Sequence, residues 1–287
     1  MAGPALRHRA EAASLALPPL LIAAERVAAA VLQGTHGRRR TGQGETFWQF
    51  RQYEPGDPVT RIDWRETAKT QHVYVRETEW EAAQSVYLWR DASGSMDYAS
   101  DVNLPTKRGR ADLLTLALAA LLVRGGERVT LMGSGLAPAY GRGVLDQLAL
   151  LLERSATATD LPAYEKLPRH GQVIWIGDLL APLDATAALV LRYADAGLKG
   201  HLLQILDPAE ESLPFAGRVR FEGLEDENPL LISRVEAIRA GYVERLQRHR
   251  DGLAALTRST GWTFATHRTD HAPQHALLGL YRILTER

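Results

Sequence analysis

The sequence predicts an α/β protein built on a doubly wound, mostly parallel sheet. From residue 85 onwards, short apolar runs alternate with segments of helix length, which is the pattern of successive βαβ units. One such segment, residues 113–123, is apolar on nearly every side and is therefore expected to form a buried helix. Another apolar run, residues 86–89, ends abruptly at Asp91 and is followed by small residues. A strand that ends in this way places polar groups at the carboxyl edge of a sheet, where open α/β folds bind ligands.

Local signals predict the individual elements in order. Pro18 and Pro19 precede a first helix at residues 20–33, and Gly34 ends it. Further strands are predicted where short apolar runs lie between turn residues, and further helices where longer segments carry an apolar face. The predicted strands are 86–89, 128–132, 172–176, 200–206, 219–222 and 262–265, and the later helices are 106–123, 144–152, 182–196, 233–258 and 273–284.

The composition excludes several classes of function. Of the 287 residues 45% are hydrophobic, so the chain can bury a sizeable core. Lys+Arg and Asp+Glu are equal at 34 each, so no overall charge attracts the chain to nucleic acid or to an anionic membrane. The lack of cysteine excludes disulfides, zinc–thiolate sites and thiol catalysis. The most apolar N-terminal stretch contains Pro18, Pro19, Glu25 and Arg26, so we expect no membrane span, no signal peptide and a cytoplasmic protein.

Three oxygen-bearing side chains follow the strand at residues 86–89. Asp91, Ser93 and Ser95 lie within five residues, with Gly94 between the two serines. A carboxylate and two hydroxyls are hard oxygen ligands, which suit Mg²⁺ or Mn²⁺. The alternative interpretation is an ordinary strand-to-helix turn with capping serines.

The segment Asp91-Ala92-Ser93-Gly94-Ser95 resembles the D-x-S-x-S signature of von Willebrand factor A-type (vWA) domains. The resemblance implies a Rossmann-like fold and a metal-ion-dependent adhesion site (MIDAS), to which a Thr and an Asp from two later loops also contribute. Thr159 resembles the family's threonine, with Thr157 as its alternative, and Asp178 resembles the later aspartate because it closes the apolar run at 173–177. The resemblance further implies that the ion binds a carboxylate of another protein.

A second motif precedes the first and is similar to the hallmark of the bacterial domain of unknown function 58 family (DUF58). It consists of Arg51, Tyr53, Gly56, Asp57, Arg61, Asp63 and Trp64. This resemblance implies an N-terminal, β-containing extension of residues 1–83, comprising the first helix and the family-specific block, ahead of a vWA-like domain at 84–287. It also implies a non-enzymatic adaptor whose partner is a MoxR-type AAA+ ATPase. From the residues alone, we expect the block's arginines to pair with Asp57, Asp63 or Glu66.

Other interpretations remain open. A metal-dependent hydrolase or phosphoesterase could use the same Asp/Ser site, but the sequence offers only distant arginines as a phosphate clamp. Nucleic-acid binding by residues 34–69 is disfavoured because the charge of that segment is mixed. His267, His271 and His275 fall four residues apart, which on a helix suits a metal, but Pro273 interrupts the helix and favours surface histidines in a loop. We expect Arg90 to pair with Glu79 or Glu81.

Overall fold

The computed structural model of the protein describes residues 19–35, 47–54, 62–70, 72–78, 84–154, 159–224 and 228–285. Its contacts divide the chain into two compact units. One unit comprises the described residues of 1–38 together with 84–287, and the other comprises those of 39–83. The first helix therefore belongs with the long C-terminal part of the chain.

The larger unit contains a five-stranded parallel sheet with helices on both faces, which confirms the predicted α/β, Rossmann-like class. Its sheet strands are β3 (Ser85–Arg90), β4 (Arg128–Leu131), β5 (Gln172–Gly177), β6 (Lys199–Leu206) and β9 (Thr263–Arg268). Its helices are α1 (Pro19–Thr35), α3 (Lys107–Arg124), α4 (Arg142–Arg154), α5 (Leu183–Asp195), α6 (Pro208–Ser212), α7 (Val235–Thr260) and α8 (Pro273–Thr285). A short hairpin, β7 (Val219–Phe221) and β8 (Leu230–Ile232), lies between α6 and α7.

The strand order places β3 and β5 side by side in the middle of the sheet. The order is β4-β3-β5-β6-β9, and each neighbouring pair is parallel. From β3 the chain first crosses to β4 on one side and then returns to β5 on the other. The direction of winding therefore reverses between β3 and β5, and such a switch point leaves a crevice at the carboxyl ends of the two strands.

The two faces of the sheet bury different kinds of side chain. On one face, aliphatic residues such as Leu88 and Ile174 pack against α1, α3, α4 and α8. Helix α3 is buried along most of its length, as its apolar sequence predicts. On the other face, Trp175 is enclosed edge-to-face by aromatic rings. This aromatic cluster consists of Trp89, Trp175, Tyr193 and Trp262.

The smaller unit contains a two-stranded antiparallel sheet and one short helix. Its elements are β1 (Phe47–Gln52), β2 (Tyr74–Thr78) and α2 (Trp64–Thr67). Asp63 begins α2 as its N-cap, since Asp63 Oδ1 accepts hydrogen bonds from the backbone N–H groups of Arg65 and Glu66, each at 3.0 Å. Within the ranges described above, no helix is long and apolar enough to cross a membrane.

Candidate functional site

The carboxyl ends of β3 and β5 bring four of the predicted site residues together. Asp91 follows β3 directly, and its backbone N–H donates to the carbonyl of Ile176 at 2.9 Å. Asp178 follows β5 directly. Both aspartates are buried, at 0% and 2% exposure. Two carboxylates therefore lie at the switch point of the sheet, where ligands of doubly wound folds bind.

Hydrogen bonds and one close contact between two hydroxyl oxygens join these residues into one cluster. Asp91 Oδ1 accepts from the backbone N–H of Ser93 at 2.9 Å and from Ser93 Oγ at 2.6 Å. Ser93 Oγ and Ser95 Oγ are 3.1 Å apart. Ser95 Oγ in turn donates to Asp178 Oδ2 at 2.7 Å. We call Asp91, Ser93, Ser95 and Asp178 the Asp/Ser cluster.

Gly177 allows the two strands to carry this cluster. A Cβ atom placed on Gly177 would lie 2.5 Å from Asp91 Cβ and 2.9 Å from Asp91 Oδ2. Real Cβ atoms essentially never come this close to other atoms. The Asp91 side chain thus occupies the space that any other residue at position 177 would fill, so glycine here serves close packing.

One oxygen of Asp91 has no hydrogen-bond donor among the residues that the structure describes. Asp91 Oδ2 is buried and makes no hydrogen bond within the described ranges. Burial, and next the negative charge of Asp178, raise the pKa of Asp91 to about 6. A buried carboxylate oxygen without a partner costs free energy. A hydrogen-bond donor or a cation placed at this oxygen would offset that cost.

Lys107 contributes a cation that the sequence analysis did not foresee. Its Nζ lies 2.9 Å from Asp178 Oδ2 and 2.6 Å from Glu210 Oε1, and its side chain is 1% exposed. Burial opposes the charged form, but the carboxylates of Asp178 and Glu210 outweigh it and raise the pKa of Lys107. Lys107 is the first residue of α3, and Thr106 caps that helix. The feature of the sequence that could have identified Lys107 is its position as a lysine at the start of a helix that is largely apolar.

The backbone around Asp178 is held in an unusual conformation. Leu179, which is buried, has φ of 51°, in the left-handed region that non-glycine residues rarely adopt. Its carbonyl lies 2.7 Å from His249 Nε2, and the Asp178 carbonyl accepts from Gln204 Nε2 at 2.8 Å. Strained residues persist only where their surroundings hold them in place, and they cluster at functional sites.

Arg108 fixes the loop that carries the two serines. Its Nη2 donates to the Ser93 carbonyl at 3.0 Å, and its guanidinium also binds the carboxylate of Asp97. Asp97, two residues after Ser95, is therefore engaged with an arginine. Asp101 instead accepts hydrogen bonds from the backbone and side chain of Asn103.

Thr159 does not join the cluster. Its side chain is exposed, and no hydrogen bond between it and the cluster is found in the part of the chain that the structure covers. The alternative, Thr157, lies outside the described residues. Within those residues, no group of three or more His, Cys, Asp or Glu side chains is arranged to hold a metal ion.

The family-specific block is only partly covered by the structure. Gly56, Asp57 and Arg61 lie outside the described residues. Arg51 Nη1 is 3.8 Å from Glu54 Oε2, and Tyr53 donates its backbone N–H to the Val73 carbonyl. The Asp63 carboxylate caps α2, as described above. The side chain of Trp64 is 64% exposed.

The structure also revises two expectations about the larger unit. His267 lies on β9 and is buried, so its interpretation as a surface loop residue is wrong. Strand β9 runs as far as Arg268, further than the apolar run indicated. Arg90 pairs with Asp112 of α3 at 2.6 Å, whereas Glu79 and Glu81 lie outside the described residues.

Comparison with known proteins places the chain in a family. The model of the family described as "Protein of unknown function DUF58" matches residues 49–252. The uncharacterized proteins Rv1480 of Mycobacterium tuberculosis and Mb1516 of Mycobacterium bovis are each 27% identical over 256 residues, covering 84% of this chain and 80% of theirs.

Two solved structures from Bacteroides also resemble the chain. The conserved hypothetical protein BatB from Bacteroides thetaiotaomicron is 14% identical, with a TM-score of 0.42. An aerotolerance-related membrane protein from Bacteroides fragilis is 15% identical, with a TM-score of 0.43. Each match covers 71% of this chain and 100% of the other. On the strength of the family match, which spans most of the sequence, the protein belongs to the DUF58 family.

Proposed function

We propose that the protein is a non-enzymatic, metal-dependent protein-interaction module of the vWA type. In this proposal the Asp/Ser cluster is a metal-ion-dependent adhesion site that holds Mg²⁺ or Mn²⁺. Thr159, the further ligand that the resemblance implies, is exposed and makes no hydrogen bond to the cluster in the described chain, so the four clustered residues carry the proposal. The observation that carries the proposal is Asp91 Oδ2, a buried carboxylate oxygen without a hydrogen-bond partner in the described chain, within a set of carboxylate and hydroxyl oxygens.

The residues present fit such an ion. Mg²⁺ prefers about six hard oxygen ligands and keeps several waters, so a site with few carboxylates suits it. Asp91 and Asp178 would supply the charge, and Ser93 and Ser95 neutral oxygens. When bound, the ion supplies an electrophilic position at which a partner's carboxylate can replace a water.

The proposed partner is a MoxR-type AAA+ ATPase in the cytoplasm, which the protein would assist in assembling or activating other proteins. This part of the proposal rests on the resemblance of the D-x-S-x-S motif and of the block at Arg51–Trp64 to their families. The position of the Asp/Ser cluster at the sheet edge supports a docking face, because ligands of such folds approach from that edge.

An affinity pull-down from native lysate, analysed by mass spectrometry, tests the proposal. Three samples are compared: wild type in Mg²⁺, wild type in EDTA, and Asp91→Asn in Mg²⁺. Asparagine keeps the size of the side chain and removes the charge that would hold the ion. We expect an ATPase to be enriched in the first sample alone.

Asp101→Asn is the matched control, since Asp101 is an exposed aspartate whose side-chain hydrogen bonds go to Asn103 in its own loop. This variant should retain the partner in Mg²⁺. Recovery of the same proteins in all samples, or of no ATPase in any, would contradict a metal-dependent docking face.

The alternative is that the same ion activates water against a phosphate ester. Such a reaction needs a cationic group that faces the substrate. Three cations lie beside the cluster among the described residues, and each is engaged: the Lys107 ammonium lies between Asp178 and Glu210, Arg108 binds Asp97, and Arg90 binds Asp112. Their engagement favours binding over hydrolysis. Metal-dependent turnover of p-nitrophenyl phosphate by purified protein, lost in Asp91→Asn, would reverse this preference.

A further inference from the structure

Lys107 stands where neither helix geometry nor solvation favours a lysine. It is the first residue of α3, and the N-terminal end of a helix carries partial positive charge, which disfavours cations. Its ammonium is also withdrawn from water, with a side chain only 1% exposed. A buried ammonium is tolerated only when it is paired and hydrogen-bonded. The contacts with Asp178 and Glu210 are therefore what keep it there.

The ammonium binds the same oxygen that links the Asp/Ser cluster. Asp178 Oδ2 accepts from Ser95 Oγ at 2.7 Å and from Lys107 Nζ at 2.9 Å. Glu210, the second partner of Lys107, is held in turn because its Oε2 accepts from the backbone N–H of Asp207 at 2.9 Å. The ammonium is thus fixed beside a carboxylate of the proposed metal site.

The charges in this region do not cancel. Asp91, Asp178 and Glu210 supply three carboxylates, and the Lys107 ammonium touches only the last two. The neighbouring guanidiniums of Arg90 and Arg108 are already matched by the carboxylates of Asp112 and Asp97. A second cation at the cluster would offset the remaining negative charge. The second cation would also lie close to the Lys107 ammonium, because both would bind the Asp178 carboxylate. Like charges within a few ångströms repel strongly at low effective dielectric.

We propose that Lys107 is a resident cation that keeps the Asp/Ser cluster assembled without an ion and weakens its affinity for a divalent ion. This inference rests on the proposed function and names the residue that regulates it. A partner's carboxylate adds the negative charge that offsets the ammonium. The ion and the partner are therefore bound tightly only together, and each raises the affinity of the other by the same factor.

Isothermal titration calorimetry of the full chain with Mn²⁺ and Mg²⁺, after dialysis against EDTA, tests the inference. Lys107→Met removes the charge and keeps the length of the side chain. We expect this variant to bind the ion at least about tenfold more tightly than wild type. The repulsion between the ammonium and the ion is then absent, and Asp178 no longer binds Lys107. Asp91→Asn should abolish binding.

Lys107→Met leaves Asp178 and Glu210 without their cation and could therefore prevent folding. A second variant keeps the test decisive in that case. In Lys107→Met/Glu210→Gln the net charge equals that of wild type, but the ammonium no longer competes at Asp178. This double variant should also bind more tightly than wild type, whereas Glu210→Gln alone should bind more weakly. Thermal unfolding gives an independent measurement: the ion should raise the Tm of both Lys107 variants more than that of wild type.

The outcomes separate the inference from the proposed function. If wild type binds the ion and both Lys107 variants bind no more tightly, the inference is overturned and the proposed function stands. If only the Lys107 variants bind the ion in the absence of a partner, the inference is supported, because Lys107 then opposes ion binding in the natural protein. The pull-down in Mg²⁺ and in EDTA then decides whether partner docking depends on the ion. If no variant binds, both are overturned.

Discussion

Replacing Gly177 by alanine tests whether the close approach of β3 and β5 maintains the Asp/Ser cluster. The new Cβ would lie 2.5 Å from Asp91 Cβ, and one of the two groups has to move. Asp91 cannot swing aside, because it is fully buried and its Oδ1 is held by Ser93. The strands must then separate locally.

Overpacking of a well-packed interior typically costs about 1–3 kcal/mol, and we expect the upper half of this range because backbone must shift. The free energy of unfolding should therefore fall by about 2–3 kcal/mol. Urea denaturation followed by tryptophan fluorescence measures it. The same variant should lose the partner in the Mg²⁺ pull-down, since the position of Asp91 changes.

Gly241→Ala is the matched control. Gly241 lies inside α7, and apart from its own chain neighbours and the adjacent helix backbone no atom of the described chain lies within 4 Å of a Cβ placed on it. Alanine is favoured over glycine in a helix by about 0.8–1 kcal/mol, so this variant should gain stability. If Gly177→Ala unfolded at the same urea concentration as wild type and still retained the partner, the packing argument would be refuted.

Two further predictions concern buried polar groups. Burial and the nearby Arg110 lower the pKa of His267 to about 4 from its usual 6.5, so its stabilising effect is complete above pH 6.5 and is lost as the pH falls towards 4. His267→Gln should abolish up to about 3 kcal/mol of that pH dependence in urea denaturation at stepped pH, and an unchanged pH profile would contradict this. Arg90→Met leaves Asp112, whose side chain is 14% exposed, without its cation and should cost about 3 kcal/mol, the lower end of the range for a buried pair, whereas Arg90→Met/Asp112→Leu should recover much of the loss. Equal stability of the single and double variants in urea would contradict the ion-pair argument.

The sequence predicted the parallel sheet well because its signals are local. Each central strand is a short apolar run bounded by polar or small residues, and β3 and β5 are each followed directly by an aspartate. Sheet geometry then brings the ends of neighbouring parallel strands together. Asp91 and Asp178 could therefore be expected at one edge before any contact between them was known.

Features that depend on packing between distant segments were not predictable in this way. Lys107 meets Glu210 across 103 positions of sequence, and no local pattern marks that pair. His267 was misassigned because the loop was assumed to begin directly after the apolar run at 262–265, although β9 continues to Arg268. Asp112, the partner of Arg90, is the one acidic residue of α3. The apolar pattern of that helix predicts its burial but gives no indication that this aspartate pairs with Arg90.

The aromatic cluster gives the protein an intrinsic optical reporter. The protein has six tryptophans. Two of them lie close to the site in sequence: Trp89 is two residues before Asp91, and Trp175 is three residues before Asp178. Their ring centroids are 6.0 Å apart. A displacement of Asp91 or Asp178 therefore moves the end of a strand that carries one of these two contacting indole rings. Emission from these indoles can follow events at the sheet edge in unlabelled protein, and the absence of cysteine leaves engineered thiols free for a second, site-directed probe.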